Sequence, residues 1–163
     1  MAGIRRKDKE IVDVNEMKSI LKDADYVTLA MCLHDEPYLV SLSHGYDEEK
    51  NCVYFHCAAE GKKNDILYEN SRVWGQALVD RGYVQGACDH LYATTQFRGR
   101  VTFIEDSLEK EHALKVMIKS LDDAPEEIIR KQLLPQSIRR VRIGRIQIDY
   151  MSGKKADRVI ISQ

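Results

Sequence analysis

The run from 91 to 105, LYATTQFRGRVTFIE, restricts the fold of this chain more than any other stretch. Its apolar side chains Phe97, Val101 and Phe103 fall on one side of an extended backbone. The polar side chains fall on the other side: Gln96, Arg98, Arg100 and Thr102. This period of two predicts a long strand with one face in a hydrophobic core. Such a strand needs neighbours on both edges, so the protein must be rich in β-structure.

Further strands are predicted wherever the same period or a β-branched run recurs, at 26–33, 37–47, 51–58, 72–80 and 139–151. Helical spacing predicts helices at 13–24, 62–70, 107–121 and 124–134. In the last strand the apolar positions change parity across Gly144, which predicts a β-bulge there. A parallel doubly wound sheet would need a crossover helix between most strands. The pattern therefore predicts a mainly β protein, an antiparallel barrel of about six strands with peripheral helices.

Length and charge limit the possible functions. A chain of 163 residues is long enough for one domain, so 1–163 is predicted to be a single domain. With 25 Lys and Arg against 26 Asp and Glu, the chain lacks the basic field that nucleic acid or an anionic membrane would attract. No apolar run reaches membrane-spanning length and no secretion signal is visible, so a cytoplasmic protein with reduced cysteines is expected.

The stretch YFHCAAEGKKNDIL, 54–67, begins as a strand and ends as a helix. Gly61 precedes that helix, and its first free amides together with Lys62 and Lys63 would make a small anion site suited to a terminal phosphate. A solvated lysine pair at a helix start is the alternative, and the short GKK sequence alone does not decide between them.

The strand YLVSLSHGY, 38–46, has one bulky and one small face. Alternation places Ser41, Ser43 and Gly45 together, away from the larger side chains. Small side chains let a flat ring lie close to a backbone whose amides and carbonyls can bind its polar edge. A planar heterocycle with a phosphate tail therefore fits this strand and the lysine pair.

His56 lies between bulky apolar neighbours, where a histidine is usually a hydrogen-bonded core residue. Alternation places it with Tyr54 and Ala58 on one face of a strand that leads to the predicted phosphate site. We therefore expect its imidazole to open onto the ligand cleft. Imidazole titrates near neutral pH, so His56 is the candidate catalytic residue, as a hydrogen-bond or proton donor.

Other kinds of site are disfavoured. The possible zinc ligands have irregular spacing, so no metal site is predicted: His44, His56, Cys57 and His90. Neither a Gly-x-Ser-x-Gly nor a Gly-x-Gly-x-x-Gly motif is present. The arginines around 139–145 have no interleaved aromatic residues, so nucleic-acid binding is not expected. Trp74 is expected in the core, at an interface or beside the ligand ring.

The order EPYLVSLSHGYD, VYFHCAAEGKKNDIL, YATTQFRGRVTFIED and IQIDYMSGKK resembles the flavin-binding split-barrel proteins related to pyridoxamine 5′-phosphate oxidase. Within them it is most similar to the nitroimidazole-resistance (NimA-like) branch, over about 5–155. The resemblance implies a homodimer that binds FMN in two clefts between subunits. Lys62 and Lys63 stand where the family usually has a Gly-Arg-Lys run. The family's Tyr-Arg-Ser is Tyr92, Ala93 and Thr94 here, so the arginine is absent.

The resemblance also implies the cofactor-binding residues. The isoalloxazine would lie along Ser41, Leu42 and Ser43. The phosphate would lie near the segment that contains His56, Cys57, Ala58, Lys62, Lys63 and Asn64. Tyr92 and Thr94 would contact the cofactor from the long strand. Some relatives bind haem or a deazaflavin instead of FMN.

Two functions remain open at the level of sequence. The first is an FMN-dependent oxidoreductase that reduces a small organic substrate, of the nitroaromatic or pyridoxamine-phosphate-oxidase kind, with the flavin supplying the redox chemistry. The second is a flavin-binding carrier or sensor without turnover. Bleaching of the bound flavin by a nicotinamide donor, followed by recolouring with a nitroaromatic, would distinguish the two.

Overall fold

The computed structural model describes residues 4–156 and 158–161. Its strands are β1 (Glu10–Ile11), β2 (Val27–Leu33), β3 (Glu36–Leu42), β4 (Gly45–Asp47), β5 (Cys52–Cys57), β6 (Arg72–Val84), β7 (Asp89–Phe103) and β8 (Arg142–Lys155). Its helices are α1 (Val14–Asp23), α2 (Lys62–Glu69), α3 (Ser107–Leu121), α4 (Pro125–Gln132) and α5 (Pro135–Arg140).

The strands form one antiparallel sheet in the order β3-β2-β6-β7-β8-β5-β4, with β1 paired to β8. The sheet curls around a core but does not close, because β3 and β4 at its two ends do not pair. This confirms the predicted split barrel with peripheral helices. The described residues contain eight strands rather than about six, because β1 was not recognised and the strand predicted at 37–47 divides into two.

The division of 37–47 is a correction to the sequence interpretation. β3 pairs with β2, whereas β4 pairs with β5 at the other end of the sheet. The chain passes from one end of the sheet to the other at His44. This residue is buried, and its Nε2 donates a hydrogen bond of 2.7 Å to the carbonyl oxygen of Leu21. Gly45 lies beneath α3, where a Cβ atom would stand 2.8 Å from the backbone of Met117. Gly45 is therefore not part of an open face with Ser41 and Ser43.

The predicted bulge at Gly144 is also wrong. Pairing of β7 with β8 is regular through Gly144, and the register shifts only where Asp149 is left over between Ile148 and Tyr150. The parity changes because β8 is buried on both faces near Gly144. Ile143 packs in a second core beneath α3, whereas Ile146 and Ile148 pack in the main core inside the barrel.

The segment at 124–140 was only partly predicted. α4 agrees with the expected helix, but 139 and 140 belong to the short helix α5 and not to the last strand. Pro135 stands at the first turn of α5, where its fixed φ angle favours a helix start. α3 packs on the outside of β4 and β5, so the end of the sheet that carries β4 is covered and the end that carries β3 is not.

Candidate functional site

A groove of about 200 Å³ lies between β3 and the loop that joins β5 to α2. We call it the lysine groove. It is lined by Tyr38, Val40, Cys57, Ala58, Glu60, Gly61, Lys62, Lys63 and Asn64. The structure thus brings together five of the predicted cofactor-binding residues: Cys57, Ala58, Lys62, Lys63 and Asn64.

The start of α2 is open at this groove. Gly61 precedes the helix with a φ angle of +135°, a conformation that favours glycine. Because Gly61 offers no side-chain cap, the first amides of α2 stay available for a ligand. Asn64 is buried and donates from Nδ2 to the carbonyl oxygen of Ala58 at 2.9 Å, which fixes the loop against the helix.

Neither lysine of the groove is paired with a carboxylate in the described part of the chain, although Glu60 also lines the groove. Nζ of Lys62 lies 4.9 Å from the centre of the Tyr38 ring, and Nζ of Lys63 lies 5.4 Å from the centre of the Phe55 ring. Within residues 4–156 and 158–161 neither lysine forms an ion pair. Burial raises the pKa of the nearby Cys57 thiol, so this group adds no negative charge. The groove is therefore locally positive, although the whole chain is nearly neutral.

A second, larger groove of about 460 Å³ lies on the outer face of the sheet. We call it the sheet groove. It crosses β3, β2, β6 and β7, and it is lined by Thr28, Ala30, Leu39, Trp74, Gly75, Gln76 and Gln96. Of these only Trp74 was considered from sequence as a possible neighbour of the ligand ring. Gln76 and Gln96 face each other directly across β6 and β7, and such an outward amide pair beside a tryptophan is a signal that could have identified the groove.

Ser41 and Ser43 are exposed, as the predicted flavin-binding strand requires. Oγ of Ser41 hydrogen-bonds Oγ1 of Thr28 at 2.9 Å, so this serine adjoins the sheet groove. Leu42 is half-buried and packs against the main core. In the described part of the chain β3 pairs only with β2, so the backbone groups along its other edge have no sheet partner there. The two grooves lie on opposite faces of this edge strand.

His56 does not line the lysine groove. It is exposed on β5 and shares a face with Tyr54, which packs beneath α3, whereas Cys57 on the opposite face lines the groove. The sequence expectation that the imidazole opens onto the cleft beside the lysines therefore does not hold within one protomer. Alternation was interpreted correctly, but it could not show which face of β5 meets the groove.

Tyr92 and Thr94 lie on β7, which two strands separate from β3, a distance of roughly 14 Å. Thr94 is buried, donates from Oγ1 to the carbonyl oxygen of Ala77 at 2.8 Å, and accepts a hydrogen bond from Gln76 at 3.1 Å. It therefore supports a residue of the sheet groove. Tyr92 is half-buried against the main core, and neither residue reaches the lysine groove of its own protomer.

The remaining histidines that were weighed as metal ligands lie apart. His44 is buried beside α1, and His90 contacts Asp80 at 2.9 Å near the end of the β6–β7 hairpin. The described residues contain no cluster of three or more His, Cys, Asp or Glu that could hold a metal ion. No helix in the described ranges is both long enough and apolar enough to cross a membrane.

Several solved structures have a fold similar to that of this chain. A candidate 5-nitroimidazole antibiotic resistance protein from Bacteroides thetaiotaomicron is 27% identical, with a TM-score of 0.75 over 89% of this chain and 85% of that one. The flavocytochrome Anf3 from Azotobacter vinelandii is 18% identical, with a TM-score of 0.78 over 98% and 75% of the two chains. An FAD and haem binding protein from Mycobacterium smegmatis is 12% identical, with a TM-score of 0.75 over 91% and 74%.

Sequence comparison identifies the family. No curated protein sequence gives a significant match. The family model described as pyridoxamine 5′-phosphate oxidase matches residues 13–155, which include every strand except β1 and all five helices. Because this match covers most of the chain, the protein belongs to the pyridoxamine 5′-phosphate oxidase family.

Proposed function

We propose that the protein binds FMN, which crosses the free edge of β3 with its phosphate in the lysine groove on one face and its isoalloxazine along β3 beside Ser41 and Ser43 on the other. The observation that carries this proposal is the pair of unbalanced ammonium groups at the open start of α2. Helix amides and lysines together are a common binding site for a phosphate group. The same fold holds FAD in a mycobacterial protein, so the scaffold accepts a flavin.

The residues present fit this cofactor. Lys62 and Lys63 neutralise the phosphate, and Asn64 fixes the loop that faces it. The short side chains of Ser41 and Ser43 let the ring approach β3, whose free edge offers amides and carbonyls for the polar edge of the flavin. FMN, when bound, supplies the redox chemistry, and the protein supplies its position and electrostatic environment.

We propose further that the active form is a two-fold homodimer whose sites lie between subunits. The sheet groove is bordered by Leu39, which is 66% exposed, and by Trp74, an apolar surface that a second copy would bury. His56, Tyr92 and Thr94 do not reach the lysine groove of their own protomer, so they would complete the site of the other. Light scattering during size-exclusion chromatography tests this, and a monomer at micromolar concentration contradicts it.

The proposed reaction is reduction of a small organic substrate, of the nitroaromatic or pyridoxamine-phosphate-oxidase kind, in the cytoplasm. Support comes from the family and from the similarity to the candidate nitroimidazole resistance protein. His56 is the candidate proton donor because it is an exposed imidazole on β5, the strand that leads to the lysine groove. A flavin carrier or sensor without turnover is the alternative, since His56 does not line the lysine groove of its own protomer.

An absorption spectrum of the purified protein tests the cofactor, because flavin, haem and empty protein absorb differently. We expect a flavin spectrum that a nicotinamide donor bleaches and a nitroaromatic or quinone restores, faster than for free FMN. A bound flavin that does not react under these conditions supports the carrier or sensor. A haem spectrum, or no cofactor binding on addition of FMN, contradicts the proposed function.

A further inference from the structure

A second basic cleft lies on the other side of the loop that borders the lysine groove. It has a volume of about 170 Å³ between the start of α3 and the connection from α5 to β8. We call it the arginine cleft, defined by Ala59, Glu105, Lys110, Arg139, Arg140 and Arg142. Nothing in the proposed flavin site uses these residues.

Lys110 is the most informative residue of the cleft. It is only 8% exposed, yet within the described ranges its ammonium group forms no hydrogen bond or ion pair. Among the described residues, Nδ1 of His44 is the one side-chain nitrogen or oxygen that is both fully buried and without a hydrogen-bond partner. Nζ of Lys110 also has no partner but does not meet that condition, so it keeps some contact with solvent. A buried lysine is normally paired, because an unpaired buried charge is costly. Its ammonium group therefore faces the open cleft that Lys110 lines.

Three of the four other charged side chains in the lining are also positive. Arg139 and Arg140 form no ion pair among the described residues, and Glu105 is the single carboxylate in the lining. The guanidinium carbon of Arg142 lies 5.2 Å from the Phe103 ring centre and 5.7 Å from that of Tyr68, so it is held in place by stacking. Arginines in the last turn of a helix also interact with its free carbonyls, but this explains neither Lys110 nor Arg142.

The arginine cleft and the lysine groove share one wall. Ala59 lines the former, while Ala58, Glu60 and Gly61 line the latter. We propose that the arginine cleft is a second anion site, which binds a phosphate group of a small molecule next to the site for the flavin phosphate. Planar guanidinium groups combined with a lysine suit phosphate oxygens. The existence of this site does not depend on the flavin, but the identity of its ligand rests on the proposed function.

Two ligands could present that phosphate group. One is a dinucleotide flavin, which carries a second phosphate in the same molecule. The other is a separate phosphorylated molecule, such as a phosphorylated substrate or nicotinamide dinucleotide donor. The two ligands can be distinguished by flavin affinity. If the ligand is the dinucleotide flavin, the affinity for FAD depends on the arginine cleft and the affinity for FMN does not. If it is a separate molecule, neither affinity depends on the cleft.

Titration of the full-length protein with inorganic phosphate, followed by amide chemical shifts, tests the site directly. We expect two binding events, one that shifts amides near Lys62 and one that shifts amides near Arg140. Arg139→Ala with Arg140→Ala should weaken the second by roughly tenfold or more and leave the first unchanged, since two charge-assisted contacts are lost. The double variant Lys62→Ala with Lys63→Ala should show the reverse.

The matched control removes two charges from the neighbouring helix α4, through Arg130→Ala with Lys131→Ala. Neither residue lines the cleft, so phosphate binding near Arg140 should persist. Equal weakening in this control, or unchanged binding in Arg139→Ala with Arg140→Ala, overturns the second site. Because the readout needs no flavin or turnover, that result leaves the proposed function intact. If the parent protein shows phosphate binding near Arg140 but none near Lys62, that result contradicts the proposed function instead.

Lys110→Met provides an independent test, because it keeps the apolar stem and removes the charge. Without phosphate, this variant should melt at the same temperature as the parent protein or higher, since an unbalanced buried charge is lost. With phosphate, the parent should gain melting temperature through this site and the variant should gain less. An equal gain in both proteins overturns the role of Lys110.

Flavin titration of Arg139→Ala with Arg140→Ala distinguishes the two ligands. Weaker FAD binding with unchanged FMN binding identifies the dinucleotide, and FAD binding equal to that of the parent protein identifies a separate phosphorylated ligand.

Discussion

β3 and β4 are neighbours in the chain, with only Ser43 and His44 between them, yet they differ in nearly every physical respect. β3 has exposed and half-buried residues in alternation and leaves one edge unpaired. All three residues of β4 are buried, because α3 covers them. The comparison shows that one continuous β-rich sequence can supply both the open, ligand-accessible end of a sheet and its closed, structural end.

The closed end is also held by polar contacts. Oδ2 of Asp47, at the end of β4, lies 2.6 Å from Nε2 of His112 on α3. Burial raises the pKa of Asp47, but the hydrogen bonds from His112 and from the Lys50 amide outweigh it and lower that pKa below its ordinary value. Asp47 therefore stays ionised and connects α3 to the sheet, whereas no ion pair among residues 4–156 and 158–161 joins a helix to β3.

The largest expected effect comes from filling the closed end. Gly45→Val places a side chain where Cβ alone would stand 2.8 Å from the backbone of Met117. We expect the free energy of unfolding to fall by about 3 kcal/mol, because a well-packed core does not accept added volume. Chemical denaturation measures this, with Ser43→Ala as the control, which should change stability by less than about 0.5 kcal/mol. Equal stability of the two variants would show that α3 does not cover β4.

A smaller effect is expected at the crossover between the two strands. Burial lowers the pKa of His44 below its ordinary 6.5 and outweighs the hydrogen bond from Nε2 to the Leu21 carbonyl, which favours the protonated ring; Nδ1 has no hydrogen-bond partner among the described residues. The unfolded chain therefore binds a proton that the folded protein does not. Stability should decrease as pH falls below 6.5, by up to about 1.4 kcal/mol per pH unit until the lowered pKa is reached. His44→Asn should lack this decrease in denaturation at pH 5 to 8, and an identical pH profile would contradict the assignment.

The smallest expected change in stability is at His56. Its side chain is exposed, so His56→Asn should leave the melting temperature and the dimer nearly unchanged. Flavin affinity or turnover should decrease if this imidazole serves the site of the other protomer. A circular-dichroism melt with a flavin titration measures both quantities. A large fall in melting temperature with normal flavin binding would make His56 a structural residue.

Local patterns predicted most of the fold. The alternation around Phe97 and the apolar spacing in α1 and α3 identified strands and helices, because each of these elements has one buried face. The pattern failed where both faces are buried, as near Gly144, or where the chain leaves one strand partner for another, as at His44. Burial on two faces removes the alternation, and a change of partner leaves no mark in the sequence.

The site was predicted in part for the same reason. Cys57 to Asn64 is a continuous segment, so its groove followed from the strand-to-helix transition alone. The sheet groove joins four strands that are distant in sequence, and its members Thr28 and Ala30 carry no local signal. The arginine cleft likewise depends on Lys110 and Arg140, which the fold brings together from two helices.

The proposed function depends above all on a phosphate site in the lysine groove, beside β3 at the open end of the sheet. The most direct test measures the affinity of Lys62→Ala with Lys63→Ala for FMN and for riboflavin, which lacks the phosphate. Arg130→Ala with Lys131→Ala serves as the charge-matched control. We predict that FMN binding weakens by about 2–3 kcal/mol, or roughly 30- to 150-fold, while riboflavin binding and the control change little. Equal weakening of FMN and riboflavin, or no weakening of either, would contradict a phosphate site in the lysine groove.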